Sequence, residues 1–148
     1  MKIDINILIV RLMTIDDYDD VYRLWTITEG MALRSYDDSR EGIEKFLKKN
    51  PTSNFVAVYD GRIVGVILCG IDGRRAYIYH TVVDKDFRCQ GIGKKLLDEV
   101  IKVSEIEGIK KNGLLVKGDN ELGKHFWKSQ GWDERNDVIY YSKNNVEQ

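Results

Sequence analysis

Proline is almost absent from the chain: Pro51 is the only one in 148 residues. The two cysteines, Cys69 and Cys89, stand alone and make neither a zinc-ligand nor a redox-pair spacing. A reduced, cytoplasmic pair is the expectation for them. The two histidines, His80 and His125, are too few for a histidine-rich metal site, so no metal is expected. No apolar run approaches the length of a membrane span. The opening MKIDINILIV has one lysine and an apolar run broken by Asp4 and Asn6, with no small-residue cleavage site, so it is not expected to be a signal peptide. Charge of one sign is also lacking. The formal net charge of −1 gives no general electrostatic reason to expect nucleic acid as a partner.

What is present fits one soluble globular domain. Hydrophobic residues make up 43% and charged residues 32%, and the length suits one core rather than two. There is no repeat or linker. The expectation is a single domain over residues 1–148, ordered from about residue 5 to residue 143.

The stretch that organises the chain runs from Val82 to Glu107 and reads as a strand end, a glycine-bearing loop and a long helix. The loop is Arg88-Cys89-Gln90-Gly91-Ile92-Gly93. A helix start carries unpaired backbone N–H groups and the positive end of the macrodipole. Glycine lets an anion approach them without a Cβ in the way. Arg88, Lys94 and Lys95 add positive charge at the same end, so the stretch suits a phosphate-rich ligand. Two familiar phosphate loops do not fit. The P-loop pattern fails because Gly93 is followed by Lys94 and Lys95, with no glycine five positions before it. The dinucleotide fingerprint fails because Leu96 stands where a third glycine belongs.

In chain order, Ile5 to Met13 reads as a strand, and Thr14 with Asp17 as a capping pair for a helix carrying Val21, Leu24 and Trp25. The acidic run Asp16 to Asp20 reads as a solvated helix turn. Gly30 ends that helix, and Met31 to Asp38 is a loop offering Arg34, Tyr36, Asp37 and Asp38 to an acceptor pocket. Ser39 caps a second helix with Ile43, Phe46 and Leu47 on one side, stopped by Asn50-Pro51. Asn54 to Tyr59, Arg62 to Ile71 and Arg75 to Val83 form a meander through Asp60-Gly61 and Asp72-Gly73. Gly65 and Gly70 suggest bends or close backbone approach. The long helix has Leu96, Leu97, Val100, Ile101 and Ser104 inward and ends at Gly108. Asn112 to Lys117 is a strand. Asp119 or Asn120 caps a fourth helix that ends at Gly131. Trp132 to Arg135 and Val138 to Ser142 read as a closing strand pair. The order β-α-α-β-β-β-α-β-α-β-β, with one strand–helix–strand crossover, predicts an α+β fold with a mixed sheet.

This order, with two motifs, resembles the GNAT family of N-acetyltransferases. The first motif is Val83-Asp84-Lys85-Asp86-Phe87-Arg88 followed by Cys89 to Leu97, with Lys85 where the family usually has proline. The second runs from Asn120 to Trp132, with Gly123, Trp127 and Trp132 where the family has alanine, tyrosine and phenylalanine. The resemblance implies acetyl-CoA as cosubstrate. Backbone N–H groups of Arg88, Cys89, Gln90, Gly91, Ile92, Gly93 and Lys94 would cradle its pyrophosphate. The strand edge at Thr81, Val82 and Val83 would hold the pantetheine amides, and Asn120 the pantetheine arm. A backbone N–H near Thr81 or Val82 would stabilise the oxyanion. The thioester would lie where this strand splays from the next parallel one.

The tyrosine that often protonates the leaving thiolate aligns with Trp127, whose indole cannot serve as that acid. Another group, water, or departure as thiolate must serve instead, since thiols ionise near pH ~8.5. Two residues compete for the catalytic role. Simple alternation puts Tyr77, Tyr79, Thr81 and Val83 on one face and Ile78, His80 and Val82 on the other. The family's bases often share the face of Tyr77 and Tyr79, where Tyr79 would position a water. His80 has the better chemistry for a base, but reaches that face only if a bulge reverses the alternation. The leading reading is acetyl transfer to the primary amine of a small molecule or peptide. The alternative is a CoA-binding module without catalysis. The final strands are a candidate homodimer interface. Neither nucleic acid nor a membrane is expected as a partner.

Overall fold

Five strands form one sheet in chain order: β1 (Ile9–Leu12), β2 (Phe55–Tyr59), β3 (Arg62–Ile71), β4 (Ala76–Val83) and β5 (Asn112–Leu114). The first four pair antiparallel, and β5 runs parallel to β4. The computed structural model describes residues 2–148. By its internal contacts the chain divides into two units, one running to Leu115 and one comprising Val116–Gln148.

Local chemistry sets the turns of the first unit. Asp60 and Gly61 both take positive φ, 52° and 76°, as a two-residue hairpin turn requires. Asp72 closes the next turn by accepting the N–H groups of Arg74 and Arg75 at 2.8 and 2.7 Å. Those backbone donors hold its carboxyl below the usual range.

Helices α1 (Tyr18–Thr26) and α2 (Arg40–Lys49) cover one face of the sheet. Val21, Leu24 and Trp25 of α1 and Ile43 of α2 form a buried cluster with Val56, Val66, Leu68 and Val82. Alternation sends the neighbours of these strand residues to the other face. There α3 (Ile92–Ile106) buries Ile92, Leu96, Leu97 and Val100. Gly65 marks the closest approach: a Cβ on it would come within 3.1 Å of Leu96 and 3.2 Å of Ile92. The strand glycine thus makes room for the helix.

The second unit contains α4 (Glu121–Ser129), capped by Asn120, whose side chain accepts the Gly123 N–H at 2.9 Å. The ring of Trp127 meets those of Phe126 and Trp132 edge-on, with centroids 5.0 Å apart in both pairs.

The α+β class and mixed sheet are as expected, with three corrections to the elements. The closing pair at residues 132–135 and 138–142 is absent, and those residues form no strand. Val138, Ile139, Tyr140 and Tyr141 are exposed instead. Their run does not alternate, so no single face is available to bury. Asn136-Asp137 has no glycine for a tight turn, and Asp137 is clasped by Arg135 at 2.7 and 2.8 Å. The first strand starts at Ile9 rather than Ile5, because Asp4 accepts the Asn6 N–H and caps a 3-10 turn over Ile5–Ile7. β5 stops at Leu114 rather than Lys117. Among the described residues no helix is long and apolar enough to cross a membrane.

Candidate active site

β4 is bulged. Ile67 pairs with Thr81 but Cys69 pairs with Ile78, so Tyr79 and His80 together stand opposite the single residue Leu68. The extra residue reverses the alternation along the strand. Val82 joins the cluster under α1 and α2. The His80 ring meets Trp25 of α1 edge-on at 5.0 Å, and the Tyr79 ring meets Phe46 of α2 at 5.6 Å. The Tyr77 ring lies tilted beside that of Tyr79 at 4.8 Å. This corrects the simple alternation, which separated His80 and Val82 from the two tyrosines. All four side chains lie on the side of α1 and α2. Tyr79 is half exposed and His80 is half-buried.

The loop between α1 and α2 delivers a carboxylate to this face. Asp38 is 5% exposed, and its Oδ1 lies 2.8 Å from His80 Nε2. Its Oδ2 accepts the Arg34 N–H at 2.6 Å, and its carbonyl accepts the Tyr18 hydroxyl at 2.7 Å. Burial pushes the Tyr18 phenol up, which keeps it a donor. The loop is pressed onto α2 at Gly42, where a Cβ would collide with the carbonyl oxygens of Tyr36 and Asp37. Among the four polar loop residues noted in the sequence, Asp38 is the one that meets His80. Nothing in the spacing signals that pairing, because the partners are 42 residues apart.

β4 pairs with β5 only over Ala76 to Ile78. Beyond that point, from Tyr79 to Val83, this edge of β4 has no strand partner among the described residues. Thr81, Val82 and Val83, where the resemblance implied a splay, lie past the last paired residue. Backbone polar groups on such an edge can pair with an extended ligand.

The glycine loop follows directly. Asp84 is buried, caps the 3-10 turn Lys85–Phe87 and holds Arg62 at 2.8 Å. Arg88 Nε donates to the Val83 carbonyl at 3.0 Å, which ties the loop to the strand end. Cys89 is exposed with φ of 62°, and Gln90 Oε1 accepts the Ile3 N–H at 2.7 Å. Gly91 takes φ of 86° as the N-cap of α3, and no atom lies within 4 Å of where its Cβ would be. The first helical N–H to reach a carbonyl of the turn is that of Lys95, which bonds Gly91. The N–H groups of Ile92, Gly93 and Lys94 are thus left to the helix start. The first turn holds no acid. Ile92 is buried and anchors the turn, while Lys94 pairs with Asp98 at 2.9 Å. These residues fit a bound pyrophosphate: donors, open approach and positive charge converge on one helix end. Asn120 lies in the second unit, with its carboxamide oxygen in the cap of α4.

Comparison with known proteins identifies the family and the fold. The acetyltransferase (GNAT) family profile matches residues 18–132. An acetyltransferase of Sodalis glossinidius is 30% identical over 138 residues, covering 93% of this chain and 96% of the relative. Among solved structures, Ard1 from Thermoplasma volcanium superposes with a TM-score of 0.75 at 24% identity, covering 84% of this chain and 82% of that one. The aminoglycoside acetyltransferase AAC(6')-Iy, solved with a CoA-containing bisubstrate analogue, gives a TM-score of 0.74 at 18% identity over 93% of this chain and 98% of that one. The chain belongs to the acetyltransferase (GNAT) family.

Proposed function

We propose that residues 1–148 act as one acetyl-CoA-dependent N-acetyltransferase domain, moving an acetyl group to the primary amine of a small molecule or peptide. The observation that carries this reading is the bulge in β4. It sets Tyr79 and His80 side by side on the face where β4 splays from β5, directly before the glycine loop.

Acetyl-CoA, when bound, supplies an acetyl group activated as a thioester. The N–H groups of Ile92, Gly93 and Lys94, with the open approach at Gly91, bind its pyrophosphate. Arg88, Cys89 and Gln90 form the rest of the loop. The Thr81, Val82 and Val83 edge orients the pantetheine. An acceptor amine is mostly protonated near neutrality, because alkylamines titrate near ~10. The imidazole of His80 removes that proton, and the half-exposed Tyr79 orients the amine beside it. Trp25 packs against His80, and Phe46 against Tyr79. The likeness to the aminoglycoside acetyltransferase supports a small-molecule amine as acceptor. Free thiols at Cys69 and Cys89 support a reducing, cytoplasmic setting.

The test combines calorimetry with a thiol-release assay. Acetyl-CoA should bind, and Gly93→Val should weaken it strongly while melting near the wild-type temperature. Thiol release should then rise with at least one amine from a panel of an aminoglycoside, spermidine and a short peptide with a free N-terminus. Absence of binding at millimolar acetyl-CoA would sink the cofactor assignment. Binding without release across a broad amine panel would favour a CoA-binding module without catalysis.

A further inference from the structure

We propose that Asp38 is a positioning residue that fixes the tautomer of His80, so that Nδ1 is the ring nitrogen that takes the proton from the acceptor amine. This deepens, and rests on, the reading of His80 as the base. An ionised carboxylate only accepts hydrogen bonds. At 2.8 Å from Asp38 Oδ1, Nε2 of a neutral ring must therefore carry the hydrogen. A neutral imidazole has one N–H, so its lone pair is at Nδ1. Nδ1 has no hydrogen-bond partner among the described residues.

The structure opposes exchange of the two nitrogens. Trp25 is fully buried and meets the imidazole edge-on, so the ring cannot turn over without displacing the indole. Asp38 is equally fixed. Arg34 N–H, Tyr18 hydroxyl and the close approach at Gly42 hold its carboxylate, its carbonyl and its loop. Charged groups acting on Tyr18, which bonds Asp38, include Asp19 and Arg40, whose guanidinium lies 5.8 Å from the Tyr18 ring centroid. In the step, an N–H bond of the ammonium breaks and a bond to Nδ1 forms. The ring becomes an imidazolium facing the Asp38 carboxylate, and it later returns the proton to water.

Asp38→Asn is the discriminating variant. Its amide oxygen can still accept the Arg34 N–H, but its NH2 group must donate to the ring. Nε2 then has to be the acceptor and Nδ1 carries the hydrogen. Long-range nitrogen–proton NMR on the ligand-free protein reads this directly, with His125→Gln used to assign the other histidine. At alkaline pH the wild type should show hydrogen on Nε2, and Asp38→Asn should show it on Nδ1. With the fastest amine of the panel above, Asp38→Asn should lower kcat by about a hundredfold, with acetyl-CoA affinity unchanged by calorimetry. Its pH–rate profile should lose the limb that the wild type owes to imidazole. Hydrogen on Nδ1 in the wild type overturns the proposal without any variant having to fold. So does a folded Asp38→Asn enzyme with the reversed tautomer and the wild-type kcat. A fully active His80→Ala enzyme that binds acetyl-CoA would instead overturn the base assignment, whatever tautomer the ring adopts.

Discussion

Tyr79 and His80 are neighbours in sequence and, through the bulge opposite Leu68, neighbours on one face of the sheet. In a regular strand they would point to opposite sides. The bulge thus places a phenol and an imidazole together, and their contributions can be separated. Tyr79→Phe keeps the contact with Phe46 but removes the hydroxyl. It should lower kcat/KM about tenfold at every pH, the scale of one lost hydrogen bond of about 1.4 kcal/mol. His80→Ala should abolish the limb of the pH–rate profile that a general base imposes. A His80→Ala enzyme with the wild-type rate and profile would return the base to some other group.

The two thiols offer a test of the loop that needs no acceptor. Cys69 is fully buried, and burial pushes its thiol up to about 12, so almost no thiolate forms near neutrality. Cys89 is exposed between Arg88 and Gln90. Iodoacetamide should therefore modify Cys89 alone, as read by peptide mass spectrometry. Saturation with acetyl-CoA at roughly ten times its Kd should slow that modification about tenfold, since only the unliganded fraction reacts. Unchanged alkylation at saturation would place the pyrophosphate away from residues 88–94.

These tests rest on features that differed in how readily the sequence showed them. The meander, the capped helices and the glycine loop were legible because their signals are local. Asp60-Gly61 fixes a hairpin, Ser39 caps α2 through the Gly42 N–H at 3.0 Å, and Gly91 stands at the start of α3. The bulge was visible only as a condition, because no residue type in Tyr77 to Val83 demands it. The Asp38–His80 pair was not legible, since it joins a loop to a strand through tertiary packing. The missed closing strands show the converse. Val138 to Tyr141 has high strand propensity, yet propensity without a face to bury does not make a strand.

The family resemblance aligns Trp127 with the tyrosine that often protonates the leaving thiolate. Its indole offers an N–H that does not ionise in water, so it cannot replace a phenol as proton donor. Trp127 makes edge-on contacts with Phe126 and Trp132, which gives the ring a packing role. Trp127→Phe should keep most of the turnover, with a modest loss of stability of about 0.5–1.5 kcal/mol from the weakened aromatic pairs. Trp127→Tyr should change kcat less than tenfold. A gain of a hundredfold, equivalent to about 2.7 kcal/mol of barrier, would show that thiolate protonation limits the wild-type rate.

The junction of β1 and α1 carries a pH-dependent part of the stability. Asp17 is 7% exposed, and its two carboxylate oxygens each accept a bond from Arg11 at 2.8 Å. Oδ2 also accepts the Thr14 N–H at 2.9 Å. Burial alone would raise this carboxyl, but the bonds from Arg11 and Thr14 outweigh it and hold Asp17 below the usual carboxylate range. A depressed native value means that the stabilisation is complete above the unfolded value, near ~3.9. It is lost as pH falls through the native value, where the carboxyl gains its proton. Asp17→Asn removes the charge without removing the bulk. At neutral pH it should lower the unfolding free energy by about 1–2 kcal/mol, the scale of a lost cap and a charged hydrogen bond. Urea unfolding repeated at about pH 2.5 should find the two proteins closer together, because below the unfolded value of ~3.9 the stabilisation from the charge is progressively lost. A gap of the same size at both pH values would mean that Asp17 contributes shape rather than charge.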